Sequence, residues 1–216
     1  MRLWVIQHVT PRIWRNAPHK FARAIRRFAD VEADSGWQAL QIAQTSRNPK
    51  IKALFLKMAI EEAHHASLFR QAALELNPDV ESGWPTPERK ALIKTAPSLA
   101  AAVAEISLNE QSIFREFESY KKACPNQKVK GIFDQIAEDE ASHGSESEQS
   151  LMTLIDSDDA QFRRYLSQAK RKRWGRNLSV FSRFLGQFVF SFWLLCVYFV
   201  VGLVVAPFAW VLSRRS

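Results

Sequence analysis

A chain of 216 residues with 47% hydrophobic residues is long enough for one well-buried domain plus an added segment. Its net charge of +8 is a sum of unlike parts: residues 28–162 hold all 22 acids and net −9, and the two flanks hold no acid and net +17. Only Cys124 and Cys196 are present and no Cys-x-x-Cys occurs, which excludes a disulfide framework and a thiolate iron or zinc module.

Residues 1–19 form a basic N-terminal arm, with Arg2, Arg12 and Arg15 among Leu3, Trp4, Ile6 and Trp14, broken by Pro11 and Pro18. Its apolar run at 3–6 is too short for a secretory signal. Three readings stay open: a mitochondrial targeting sequence, a segment lying at a membrane surface, and a loosely ordered arm.

From residue 20 to 155 the hydrophobic period predicts four long helices. The first runs from about His19 to Ser46, and Arg47-Asn48-Pro49 turns the chain into the second, which ends at Leu76 before Asn77-Pro78. Ser82-Gly83-Trp84-Pro85-Thr86-Pro87 has the chemistry of a connection, with room for a short helix at Glu88–Thr95. The third helix spans about Ser98–Lys122; Cys124-Pro125-Asn126 leads into the fourth, about Lys128–Leu154. Two hairpins joined by one long crossover is the ferritin-like topology, so the fold class is an all-α four-helix bundle.

The second hairpin repeats the first at an offset of 78: Ile51 with Val129, Phe55 with Phe133, Ala59 with Ala137, Glu62 with Glu140 and His65 with His143. Glu32 precedes Glu62 by 30 residues, and Glu110 precedes Glu140 by the same distance. Each of the six lies on an apolar seam, as Glu32 does after Phe21, Ile25 and Phe28. An unpaired carboxylate buried there costs on the order of several kcal/mol, so something must neutralise four of them, and two divalent cations would. Glu61-x-x-His64 has the same spacing as Glu62-x-x-His65, but its repeat partners are Asp139 and Ser142 and it turns off the seam; it reads as a solvent-facing pair. Trp37 and Tyr120 lie near the ligand-bearing helices and read as core residues, with electron transfer the alternative. His8, His19 and His64 have no partner motif.

Oxygen and imidazole donors without thiolate suit iron or manganese, and one acid on each of two helices with Glu-x-x-His on the other two is the di-iron carboxylate pattern. On these residues, positions 20–154 resemble the ferritin-like superfamily, and within it the rubrerythrin and demethoxyubiquinone hydroxylase branches. The resemblance implies two iron ions, with Glu62 and Glu140 bridging or chelating, Glu32 and Glu110 terminal, and His65 and His143 one to each ion. It further implies an oxidoreductase that activates oxygen or peroxide. A hydroxylase of a lipophilic substrate such as a quinone and a non-enzymatic iron-handling protein are the alternatives. Two departures stand against complete agreement. Ile113 occupies the position, one turn after Glu110, where rubrerythrins commonly carry a further Glu, and the chain has no cysteines for a rubredoxin module. An external electron donor is therefore expected. Ala33-Asp34-Ser35-Gly36-Trp37 does not reproduce the glycine-rich stretch of the hydroxylase branch.

Beyond the bundle, eight cations fall between Arg163 and Arg183, and residues 184–212 carry no formal charge. The expectation is a basic amphipathic juxtamembrane segment at 156–183 followed by one transmembrane helix at 184–212. The basic stretch then meets membrane lipids rather than nucleic acid, and the charge bias puts the bundle on the cytoplasmic side. A mitochondrial inner membrane fits if the arm is a targeting sequence. The sequence leaves a homodimer open.

Overall fold

The computed structural model describes the backbone of residues 2–80 and 92–213. Side chains at 2, 4, 200–213 and several positions between 176 and 188 lie outside that description, as does the first half, 88–91, of the expected crossover helix at 88–95. The order is α1 (Arg2–His8), α2 (Thr10–Asn16), α3 (Pro18–Thr45), α4 (Pro49–Leu76), α5 (Leu92–Thr95), α6 (Leu99–Ala123), α7 (Gln127–Leu154) and α8 (Asp159–Ser213). Two compact units divide the chain, residues 1–169 and 170–216.

The first unit is built from two antiparallel hairpins, α3 with α4 and α6 with α7, packed against each other. Local chemistry fixes where each helix begins. Pro18 and Pro49 occupy first-turn positions, where a missing N–H costs nothing. The Asn48 side chain accepts from the Lys50 and Ile51 amides at 3.0 and 3.4 Å, and Asn126 accepts from Val129 at 3.1 Å. Asn48 and Asn126 are themselves 78 residues apart, so the repeat includes the helix start. The Ser98 hydroxyl caps α6 by accepting from the Ala101 amide. After α7, Asp156 and Ser157 adopt left-handed φ values of 50° and 60°, which breaks the helix before α8.

Residues 2–16 form helices rather than a loose arm. α1 packs on α6 with Ile6 buried, and Trp14 is buried between Phe21 and Tyr120, at ring-centroid distances of 4.8 and 5.7 Å. The apolar side of the start of α8, Phe162, Tyr165, Leu166 and Ala169, packs against an alanine- and isoleucine-rich core cluster that includes Ala39, Ile42, Ile51, Val103 and Leu151. A second cluster, rich in aromatic rings, contains Trp14, Phe21, Ile25, Phe69, Phe117, Val129 and Phe133.

The second unit is the remainder of α8, and here one expectation is corrected. Among the described residues no helix is long and apolar enough to cross a membrane. Residues 200–212 of the expected span fall where side chains are not described. The transmembrane helix at 184–212, and the membrane localisation and orientation that rested on it, are therefore withdrawn.

The caps give a direct test of the hairpin starts. Asn126→Ala is expected to lower the unfolding free energy of the first unit by about 1 kcal/mol, read from urea denaturation.

Candidate metal centre

The six residues singled out on the apolar seams converge midway along the bundle. Glu32 comes from α3, Glu62 and His65 from α4, Glu110 from α6, and Glu140 and His143 from α7, and each is at most 1% exposed. They form two overlapping sets. Ligand atoms of Glu32, Glu62, His65 and Glu140 all lie within 4.8 Å of one another, as do those of Glu62, Glu110, Glu140 and His143. Glu62 and Glu140 belong to both sets. The two imidazoles face each other at a centroid distance of 6.2 Å.

Each imidazole is divided between an inner and an outer nitrogen. His65 Nδ1 points at Glu62 (3.7 Å), Glu32 (3.9 Å) and Glu140 (3.9 Å), while its Nε2 bonds Asp139 Oδ2 at 2.9 Å. His143 Nδ1 lies 3.3 Å from Glu62 Oε1, and its Nε2 bonds Glu61 Oε2 at 3.0 Å. A carboxylate on the outer nitrogen fixes Nε2 as the N–H donor and turns the Nδ1 lone pair inward. Glu61 and Asp139 are repeat equivalents, and each crosses to the histidine of the other hairpin. Glu61 is therefore not one of a solvent-facing pair with His64. Its side chain is 31% exposed and Asp139's is 41%, so each reaches both water and a buried imidazole, while His64 itself is exposed. The sequence signal was the 78-residue relation of Glu61 to Asp139. The two sides diverge further out: Glu61 lies 3.8 Å from Lys57 Nζ, which bonds Glu146 at 3.1 Å.

Close backbone approach brings the ligands together. Gly36 of α3 faces Glu62 so tightly that a Cβ there would stand 3.0 Å from Glu62 Cβ and 3.2 Å from the Ala59 carbonyl oxygen. Gly144 of α7 faces Glu110 and Gln111 with more room: a Cβ there would come no nearer than 3.5 Å, to Gln111 Cγ. Trp37 and Tyr120 are both partly buried. Tyr120 belongs to the aromatic cluster, with its ring 4.8 Å from Phe28 and 6.0 Å from Phe133.

The donor set is incomplete without a cation. Both oxygens of Glu32, Glu62 and Glu140, Glu110 Oε2, and Nδ1 of both histidines are buried with no hydrogen-bond partner in the protein. Those are the atoms a metal would take, and nine orphaned polar atoms in one place are otherwise very costly. Without an ion the cluster resists full ionisation. Burial, reinforced by Glu62, pushes Glu32 well above the carboxylate range, and burial with Glu110 does the same to Glu140. Burial raises Glu110 to about 7. Burial also opposes ionisation of Glu62, but His143 and His65 outweigh it and hold that carboxyl at about 2. For His143 the burial penalty is overcome by Glu62 and Glu61, which raise it to about 9; Glu62 and Asp139 raise His65 in the same way.

A rubrerythrin family profile matches residues 37–149, more than half of the chain. The chain belongs to the rubrerythrin family. The match takes in five of the six clustered residues, and Glu32 stands five residues before it. No curated protein and no solved structure matches. As in the rest of this family's fold class, the bundle is all-helical, and its buried carboxylate and imidazole cluster suits iron. Ile113, the departure from the rubrerythrin pattern, packs against the aromatic cluster and adds no donor.

These protonation states set a pH dependence. Glu110 keeps its proton in the fold up to about 7, against 4.5 when unperturbed, so it imposes no penalty below 4.5 and a growing one as pH rises. His143 contributes stability in full below 6.5 and loses it as pH rises through about 9. Glu62 works the other way, losing its contribution only as pH falls from 4.5 towards 2. The metal-free bundle is thus expected to be most stable near pH 5 and to melt progressively earlier up to pH 9. The stabilisation gained by adding divalent metal should grow over the same range, because the ligands bind without their protons. Calorimetric scans with chelator and with anaerobic Fe(II) check both trends.

Proposed function

We propose that the first unit is a dinuclear iron oxidoreductase that reduces peroxide or oxygen with electrons from an external donor. The observation that supports this reading is the sharing of Glu62 and Glu140 between two four-residue sets. Two such sets would hold two cations side by side, Glu32 and His65 serving one and Glu110 and His143 the other. Six protein ligands leave open positions on two ions. Two ferrous ions supply two electrons together, enough to convert hydrogen peroxide and two protons to two waters; manganese fits the same donors.

The chain's own residues contribute orientation and insulation. Asp139 and Glu61 hold the imidazole tautomers with Nδ1 directed inward. The aromatic cluster closes one side of the site. With two cysteines, neither in a Cys-x-x-Cys, the chain has no thiolate centre of its own, so reducing equivalents arrive from a separate protein or carrier.

Glu62→Ala and Glu140→Ala are each expected to lower metal content from two ions towards none, measured by elemental analysis of the purified protein. Retention of two ions in both would sink the ligand assignment. Mixing the ferrous protein rapidly with hydrogen peroxide and, separately, with oxygen tests the activity: oxidation by either supports the reading, and no reaction with both overturns it. Glu61→Ala and Asp139→Ala should each weaken metal binding about 10- to 100-fold while leaving the helical content unchanged, as competition titration with a chelating dye would reveal.

A further inference from the structure

The repeat that matches ligand to ligand is only partial in the packing beside them. α3 and α6 run antiparallel, since Phe28, four residues before Glu32, lies 5.8 Å from Phe117, seven residues after Glu110. The repeat axis therefore exchanges the two ends of the bundle, and equivalent positions face opposite sides of the metal site. On one side Phe28, Phe69, Phe117 and Phe133 are in mutual contact, with every pair of ring centroids 5.3–5.8 Å apart. On the other side the equivalents of Phe69 and Ala29 are Ser147 and Ser107.

These two serines are unusual within the chain. Ser107 lies three residues before Glu110 and Ser147 four after His143, each one helical turn, about 5 Å, along the same face. Both are 0% exposed, and both hydroxyls lack any hydrogen-bond partner. Ser119 and Ser145, by contrast, are satisfied on their own helix: Ser119 donates to the Arg115 carbonyl at 3.0 Å and Ser145 to the Ser142 carbonyl at 2.9 Å. Ser107 and Ser147 forgo that bond. At the same level, Ser35, three residues after Glu32, hydrogen-bonds Glu110.

We propose that Ser107 and Ser147, with Ser35, form a small pocket beside the metal site for one neutral hydroxylic molecule, water at rest and hydrogen peroxide in turnover. The ligand class follows from the lining. Two orphaned buried hydroxyls need a partner that can both donate and accept, and a buried water commonly makes about three such bonds. Among the described residues no buried lysine or arginine is present to hold an anion, and the carboxyl of Glu110 disfavours one. Dioxygen makes no useful hydrogen bond and would gain nothing from the serines over the phenylalanine side. The peroxide half of the proposal rests on the dinuclear reading above and selects between its two oxidants.

The test uses the full chain loaded with metal. A high-resolution crystal structure is expected to show one solvent molecule bonded to both Oγ atoms, absent from Ser107→Ala/Ser147→Ala. In Ser107→Val/Ser147→Val, which fills the space with methyl groups, the rate constant for oxidation of the ferrous protein by hydrogen peroxide should fall at least about tenfold. Metal content and oxidation by ferricyanide, which needs no pocket, should stay unchanged. Dry hydroxyls in the crystal together with a higher melting temperature for the double alanine variant would overturn the pocket, and an unchanged peroxide rate in the valine variant would overturn its role in turnover. If the parent protein ignores peroxide but shows the solvent and loses it in the alanine variant, the pocket stands and the peroxidase reading fails.

Discussion

Six ionisable side chains in the middle of a helical core are the constraint around which this bundle is arranged. Left alone, Glu32, Glu62, Glu110 and Glu140 repel one another in a place water does not reach, and the fold tolerates them only with protons or cations in attendance. The remainder of the unit confines that cost. An aromatic cluster on one side and an aliphatic one on the other bury enough apolar surface to hold four helices against the repulsion between them. The two outer carboxylates, Asp139 and Glu61, stand at the boundary and join each imidazole to the surface.

Much of this was legible in the sequence because duplication supplies an internal control. A lone Glu-x-x-His is an ordinary helical spacing, but Glu62 with His65 and Glu140 with His143 repeat at 78, and both pairs interrupt apolar seams. Those same seams gave the four long helices to within a few residues. Legibility failed where a contact depends on reach between helices. Glu61 sits off the seam, so its period says solvent; only the approach of α4 to α7 brings His143 Nε2 to it at 3.0 Å. The N-terminal residues fail for a similar reason. Pro11 and Pro18 read as interruptions, yet each fits the first turn of a helix, and the burial of Trp14 depends on Phe21 and Tyr120 from α3 and α6. At the other end, hydropathy alone suggested a span at 184–212 that the described residues do not sustain.

Duplication also explains why the site is symmetric in its ligands and not in its surroundings. The ligands and the helix caps at Asn48 and Asn126 keep the relation of 78 residues. The packing around them keeps it only in part: Phe55 answers Phe133, but Phe69 answers Ser147 and Phe117 answers Ala39. Two identical halves would have sealed both sides alike or left both open.

The two glycines beside the ligands extend that asymmetry to mechanics. Gly36 and Gly144 are not repeat equivalents; each half has acquired its own point of close approach. At Gly36 an added Cβ would stand 3.0 Å from Glu62 Cβ and 3.2 Å from the Ala59 carbonyl oxygen, so glycine is what lets α3 lie this close behind Glu62. At Gly144 an added Cβ would meet Gln111 and Glu110 only at ordinary contact distance, 3.5 Å and beyond, so a methyl group fits there. A methyl group added at Gly36 would therefore press directly on the ligand Glu62, whereas one added at Gly144 would leave Glu110 and Gln111 where they are.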